Sequence, residues 1–352
     1  MRTTAQILLL ATAHVATLVV APTTESGLVK VATAAVLAGL ALWLPMAVAD
    51  GWFEFRHEVR FGRDPLPVGQ FLVGSLTSAA MVVTGLVAIS GIVAVLISRT
   101  VLWSLLLALM VVAGHGLVAR IDGRLAELTH PGDRLDPIEA EPFIELAERA
   151  GVSGVEFGCM RSDDVPGLNA MTTGAGQRRR ILVTSELMKA DGRLRDHVVG
   201  HELAHLRFGH LRSSATASAA AAAFVFLGLG LLVELNPPVG WLGLADLTDQ
   251  RAGVVLFGAA ALLALGISPW RAWQARVFER SADRFALQLT EPVPLPLLRE
   301  LHVTERADLE PGRWARWLGV HPPPAERLEV ASRVGERPPN MRAKERDTTK
   351  RS

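Results

Sequence analysis

The stretch VVGHELAHLRFGH, Val198 to His210, sets His201, His205 and His210 together with Glu202 into a largely apolar neighbourhood. Within it, His201-Glu202-Leu203-Ala204-His205 is an H-E-x-x-H pattern. Residues four apart in a helix share one face, so both imidazoles can address a single cation. Glu202, next to the first histidine, can reach a water held by that cation. Zinc suits two neutral imidazoles plus a carboxylate, with its fourth position left for water. Such an ion lowers the pKa of the water and polarises a carbonyl, while the glutamate moves the proton to a leaving amine. The pattern thus equips a hydrolase of peptide bonds with everything except one zinc ligand. His197 precedes His201 by one turn and shares its stripe, so it can approach the site. His210 follows His205 by five residues, which on a continuous helix rotates it away from the metal face and makes it an interfacial or structural histidine.

The elements that must position these groups are set by long apolar runs. Half of the 352 residues are apolar and the mean hydropathy is +0.30. The apolar residues collect in six runs: Ala5–Val20, Val29–Ala49, Phe71–Ile97, Val101–Val118, Ala215–Val233 and Ala252–Ile267. About 18 such residues suffice to cross the hydrocarbon core as a helix. The first run is short and holds His14, so it reads either as a span or as a cleavable signal segment. Arg and Lys concentrate in Met1–Thr4, Asp50–Gln70, Ala119–Ser214 and Ser268 onward, which places those segments on the cytoplasmic side.

This parity selects the missing ligand. FERSADRFAL offers Glu279 and Asp283, four residues apart on one stripe, and the hairpin of spans returns them to the side that bears HELAH. Glu234, Asp246 and Asp249 fall in the outside loop and are excluded. Glu279 is therefore the expected third ligand, and Asp283 the acceptor that fixes the ring of a ligand histidine. No tyrosine exists to steady an oxyanion. HPPPAER supplies His321 and Arg327 as donors instead, with the proline run stiffening the approach.

The expected fold is mainly α: a polytopic helical membrane protein carrying a metallopeptidase domain with a small β-sheet. Residues 1–118 form the four-span region with its cytoplasmic loop 50–70, and 119–214 the first part of the peptidase domain. Residues 215–267 form a transmembrane hairpin, 268–335 the second part of the domain, and 336–352 a disordered basic tail. Within 119–214, PIEAEPFIELAERAGV has helical spacing and stops at Gly151. VEFGCM and RRRILVTSEL read as strands around the turn-rich VPGLNAMTTGAGQ, and a helix runs from about Gly192 through His210. The single cysteine, Cys159, excludes an intrachain disulfide framework and reads as a small core residue. A net charge of +1 excludes a nucleic-acid binder of the basic-stripe kind.

HELAH, then ERSAD after a membrane hairpin, then HPPPAER, resemble the zinc metallopeptidases of the HtpX and CAAX-prenyl-protease group. LNAMTTGAGQRRRILVTSELM resembles the segment that precedes the zinc helix there, and WFEFRHEVRFGRDPLPVGQFL resembles a loop of the prenyl-protease branch. The resemblance implies one zinc ion on His201, His205 and Glu279, with Glu202 as catalytic base and Asp283 behind the ligands. His321 and Arg327 would contact substrate or oxyanion, and Asn169 and Ala170 would lie on an edge strand beside the cleft. The sequence thus points to a membrane-embedded zinc endopeptidase of the inner or plasma membrane, its site cytoplasmic, acting on proteins or peptides in quality control or processing. Two rivals remain. A regulatory peptidase resembling the BlaR and MecR sensors calls for a sizeable outside domain, whereas the outside loops here are short. A zinc-stabilised membrane scaffold has no use for Glu202.

Overall fold

The computed structural model describes residues 102–129, 132–160, 167–174, 178–234, 250–304, 316–317 and 319–335. The first three apolar runs, the loop 50–70, Asp246, Asp249 and the tail from 336 lie outside the described residues. The chain divides into two compact units, Met1–Ala113 with Ala219–Pro269, and Gly114–Ser218 with Trp270–Ser352.

The described elements are α1 (Trp103–Thr129), β1 (Asp133–Arg134), α2 (Pro137–Arg149), β2 (Val155–Met160), β3 (Ala170–Thr173) and β4 (Arg179–Thr184). They continue with α3 (Ser185–Met188), α4 (Gly192–Arg207), α5 (His210–Glu234), α6 (Gln250–Leu289), α7 (Leu295–Thr304) and α8 (Pro324–Gly335). The fold is mostly helical with one small mixed sheet, as expected. Among the described residues one helix is long and apolar enough to cross a membrane, over His210–Val233 with mean hydropathy 2.1. In the first unit, Trp103, Leu107 and Leu229 make a small buried cluster, while Phe224, Leu231 and Leu262 remain exposed.

The second unit is built on the sheet, in order β1-β2-β4-β3. β2 and β4 are the two strands legible from VEFGCM and RRRILVT, and they pair in parallel, Phe157 opposite Ile181. β4 is buried along nearly its whole length, with Ile181, Leu182 and Val183 fully enclosed, as a central strand requires. β3 runs antiparallel to it with Ala170 opposite Val183. Asn169 and Thr184 form a hydrogen-bonded pair, Thr184 N donating to Asn169 O at 2.9 Å. Alternation along the ladder then turns the main-chain groups of Ala170 and Thr172 away from β4. Gly174 closes β3 at φ 78°, where a side chain would run into the Arg178 carbonyl.

The apolar core joins the sheet to the helices that carry the chemistry. Phe143 and Leu146 of α2, Leu187 of α3, and Leu194, Val199 and Leu203 of α4 pack with Ala282 and Phe285 of α6 and Leu298 and Leu301 of α7. Asp136 caps α2 by accepting from Ile138 N, and Asp191 caps α4 by accepting from Arg193 N, each at 2.9 Å. The expected single helix from Gly192 through His210 is corrected. α4 ends at Arg207, Gly209 takes φ 65°, and His210 opens a new helix. A residue in that left-handed conformation cannot continue an α-helix, so the 100°-per-residue spiral is reset there.

Candidate metal centre

The centre is assembled by two helical stripes from distant parts of the chain. α4 presents His201 and His205, and α6 presents Glu279 and Asp283. One donor atom from each of His201, His205 and Glu279 lies within 4.8 Å of the others. His201 Nε2 and His205 Nε2 stand 3.1 Å apart. Glu279 Oε2 is 3.6 Å from the former, and Oε1 is 3.5 Å from the latter. Ligands at zinc distances occupy tetrahedral corners about 3.3 Å apart. Two nitrogens and a carboxylate at these separations fit three such corners, so the residues present suit a single zinc ion.

The electrostatics agree. Burial works to lower the His201 pKa, but hydrogen bonds to Asp283 and Glu279 prevail and raise it to about 10. Burial and the neighbouring His201 charge push His205 down to about 3. Burial alone would raise the Glu279 carboxyl, yet hydrogen bonds from His201 and His321 hold it well below the usual carboxylate range. The two carboxylates therefore favour a cation beside them, whereas burial keeps His205 neutral.

Asp283 sits behind the cluster. Its Oδ1 accepts from His201 Nδ1 at 2.9 Å, which in the neutral ring that a metal requires would leave Nε2 bare toward the centre. Arg327 grips the same carboxylate in a fork, Nε to Oδ2 at 2.9 Å and Nη2 to Oδ1 at 2.7 Å. Against the penalty of burial, that guanidinium and the His201 bond keep Asp283 well below its ordinary pKa. Expected as an oxyanion donor, Arg327 is thus placed by the structure against Asp283. His321 is largely exposed at 66% and meets Glu279 Oε2 through Nδ1 at 2.9 Å. His197 is buried, with burial pushing it down to about 4, and it stays outside the metal group.

Glu202 is the group next to the triad. Thr172 on β3 donates to Glu202 Oε2 at 2.7 Å and approaches its carbonyl oxygen at 3.2 Å. Burial raises the Glu202 pKa, with His201 and the Thr172 bond acting against it, so the carboxylate is poised to take up a proton. Asn169 N donates to Thr184 Oγ1 at 3.1 Å, which ties the start of β3 to β4, and Ala170 follows on the outer edge.

Sequence reasoning missed Thr172 and the partners of His205. His210 does not point away: its Nδ1 lies 3.1 Å from His205 Nδ1, and its Nε2 lies 3.2 Å from Ser281 Oγ. The signal that could have found it was Gly209, a residue able to break the helix between the two histidines.

Comparison with known proteins identifies the family of the domain that carries the site. The profile described as Peptidase family M48 matches residues 140–334, more than half of the chain. A solved structure, the crystal structure of S. mikatae Ste24p, superposes with TM-score 0.63 at 15% identity, covering 91% of this chain and 79% of that one. A search of curated proteins finds no match.

Proposed function

Because the chain belongs to peptidase family M48, we propose that it is a zinc endopeptidase anchored in the membrane, with its site on the cytoplasmic face. The family is one of metallopeptidases, as the resemblance to the HtpX and CAAX-prenyl-protease group implies. The observation that carries the zinc reading is the tetrahedral spacing of His201, His205 and Glu279. The membrane reading is supported by the apolar helix over His210–Val233, and the cytoplasmic face by the clustering of Arg and Lys in the segments that carry both metal motifs.

A zinc ion held by this triad supplies Lewis acidity for the substrate carbonyl and acidifies water. The chain's own residues do the rest. Glu202 takes the proton of the attacking water. Since Thr172 Oγ1 occupies Oε2, the proton rests on Oε1 and passes from there to the amine nitrogen as the peptide bond breaks. Asp283 holds the ring of His201 through Nδ1, and Arg327 holds Asp283. Substrate lies extended along the outer edge of β3, where Ala170 and Thr172 offer main-chain donors and acceptors. His321, exposed beside Glu279, would serve as a donor to the reacting carbonyl.

The test is metal dependence. Full-length protein purified in detergent is expected to cleave casein, to lose cleavage on chelation and to regain it with added zinc. Cleavage that continues unabated in chelator overturns the reading. Unfolding on chelation, with no proteolysis beforehand, favours a zinc-stabilised scaffold.

The Thr172 contact yields a further expectation with a defined sign. The hydrogen bond from Thr172 lowers the Glu202 pKa, so Thr172→Val raises it. The base must be ionised to act, and the acidic limb of the kcat/KM profile therefore moves to higher pH. A limb that stays in place removes Thr172 from the mechanism.

A further inference from the structure

The two ligand histidines are oriented by different chemistry. Behind His201 stands a carboxylate, whereas His205 turns its Nδ1 toward another imidazole, that of His210, at 3.1 Å. One of these two nitrogens must carry the proton and the other must be bare. The hydroxyl of Ser281 decides which. Its Oγ donates to the Phe278 carbonyl at 2.7 Å, which spends its only proton, so toward His210 it can only accept. His210 Nε2, 3.2 Å away, is then the donor, and the Nδ1 of a neutral His210 is bare. It accepts from His205 Nδ1–H, which leaves His205 Nε2 bare toward His201 and Glu279. The ring plane of His210 is itself fixed, stacked on Phe278 at 4.5 Å and 11°, with Phe208 on its flank at 5.5 Å.

We propose that His210, set by Ser281, is the positioning residue of His205: the chain Phe278 O, Ser281 Oγ, His210, His205 Nδ1 fixes the tautomer that presents Nε2 to the metal. The proposal rests on the zinc reading of the triad. It assigns a role to the histidine after HELAH and to the serine between Glu279 and Asp283. It also makes the two imidazoles unequal. His201 is backed by a charged acceptor locked by Arg327, and His205 by a neutral one. Partners of this kind contribute about ten- to a hundredfold in metal affinity.

The test measures zinc affinity by competition with a fluorescent chelator in the full-length, detergent-solubilised protein, alongside thermal unfolding of the metal-stripped protein. His210→Phe keeps an aromatic ring on Phe278 but offers no acceptor, and it is expected to weaken zinc binding about ten- to a hundredfold. His210→Asn places a carbonyl oxygen near the former Nδ1 and is expected to recover most of that loss. Ser281→Ala frees His210 to adopt either tautomer and weakens binding less. The double variant His210→Phe with Ser281→Ala binds no worse than His210→Phe alone, because the serine acts only through the histidine.

Wild-type affinity in His210→Phe overturns the proposal, as does an Asn variant as weak as the Phe variant with metal-free stability unchanged. If His210→Phe fails to fold, Ser281→Ala decides, and wild-type affinity there overturns the proposal. Failure of the parental protein to bind zinc is a different result, since it removes the zinc reading and the positioning role together.

Discussion

Glu202→Gln retains one zinc per chain and loses casein hydrolysis by about a hundred- to ten-thousandfold, the contribution of a positioned general base. The substitution keeps the shape of the side chain and an oxygen able to accept from Thr172 Oγ1, now 2.7 Å from Oε2. It removes the capacity to take a proton from water. The three atoms of the metal group belong to His201, His205 and Glu279, so zinc content, measured by atomic absorption, is unchanged. Stability does not fall, because the substitution withdraws a carboxylate whose burial already disfavours its charge. Hydrolysis within tenfold of the parent would end the assignment of Glu202 as the base, and loss of zinc would show it to be a ligand.

Arg327→Met separates two roles for one side chain. A residue that only steadied an oxyanion would lower kcat and leave everything else untouched. The fork onto Asp283 predicts more. Without Arg327 the buried Asp283 keeps its bond to His201 but loses the guanidinium that forks onto it, a change that costs about 3–5 kcal/mol for a buried pair broken on one side. For a domain of this size that lowers Tm by about 10 °C. Zinc affinity falls with it, about tenfold or more, because the acceptor that orients His201 is no longer held. The double variant Asp283→Asn with Arg327→Met recovers part of the stability, since both charges are then gone. Unchanged Tm and zinc affinity in Arg327→Met would return the residue to a purely catalytic role.

The sequence made some of this site legible and hid the rest, for reasons of periodicity. His201 with His205, and Glu279 with Asp283, are pairs four residues apart. A helix converts that spacing into a shared face without help from the rest of the fold. The parallel strands β2 and β4 were legible too, as short apolar runs between turn signals. Thr172 was not, because AMTT in β3 is short and lacks a strong apolar alternation, and its position beside Glu202 is set by pairing with β4. His210 was concealed by an extrapolation. Counting five residues from His205 along one helix gave the wrong direction once Gly209 broke that helix. Arg327 was found as a basic residue in the right segment, but only tertiary packing reveals that its fork closes on Asp283.

Among the described residues no strand pairs with the outer side of β3, and this four-residue strand bears on what the enzyme can select. Ala170 and Thr172 are the two positions whose backbone faces outward, so a guest chain bound as proposed would be gripped through amides that every amino acid possesses. Such a grip reads little of the guest's side-chain alphabet. It demands instead that the guest surrender its own helices or sheets over several residues before cutting. Under that binding mode, choice of target would follow local unravelling, and a well-folded neighbour would be spared by its own cohesion.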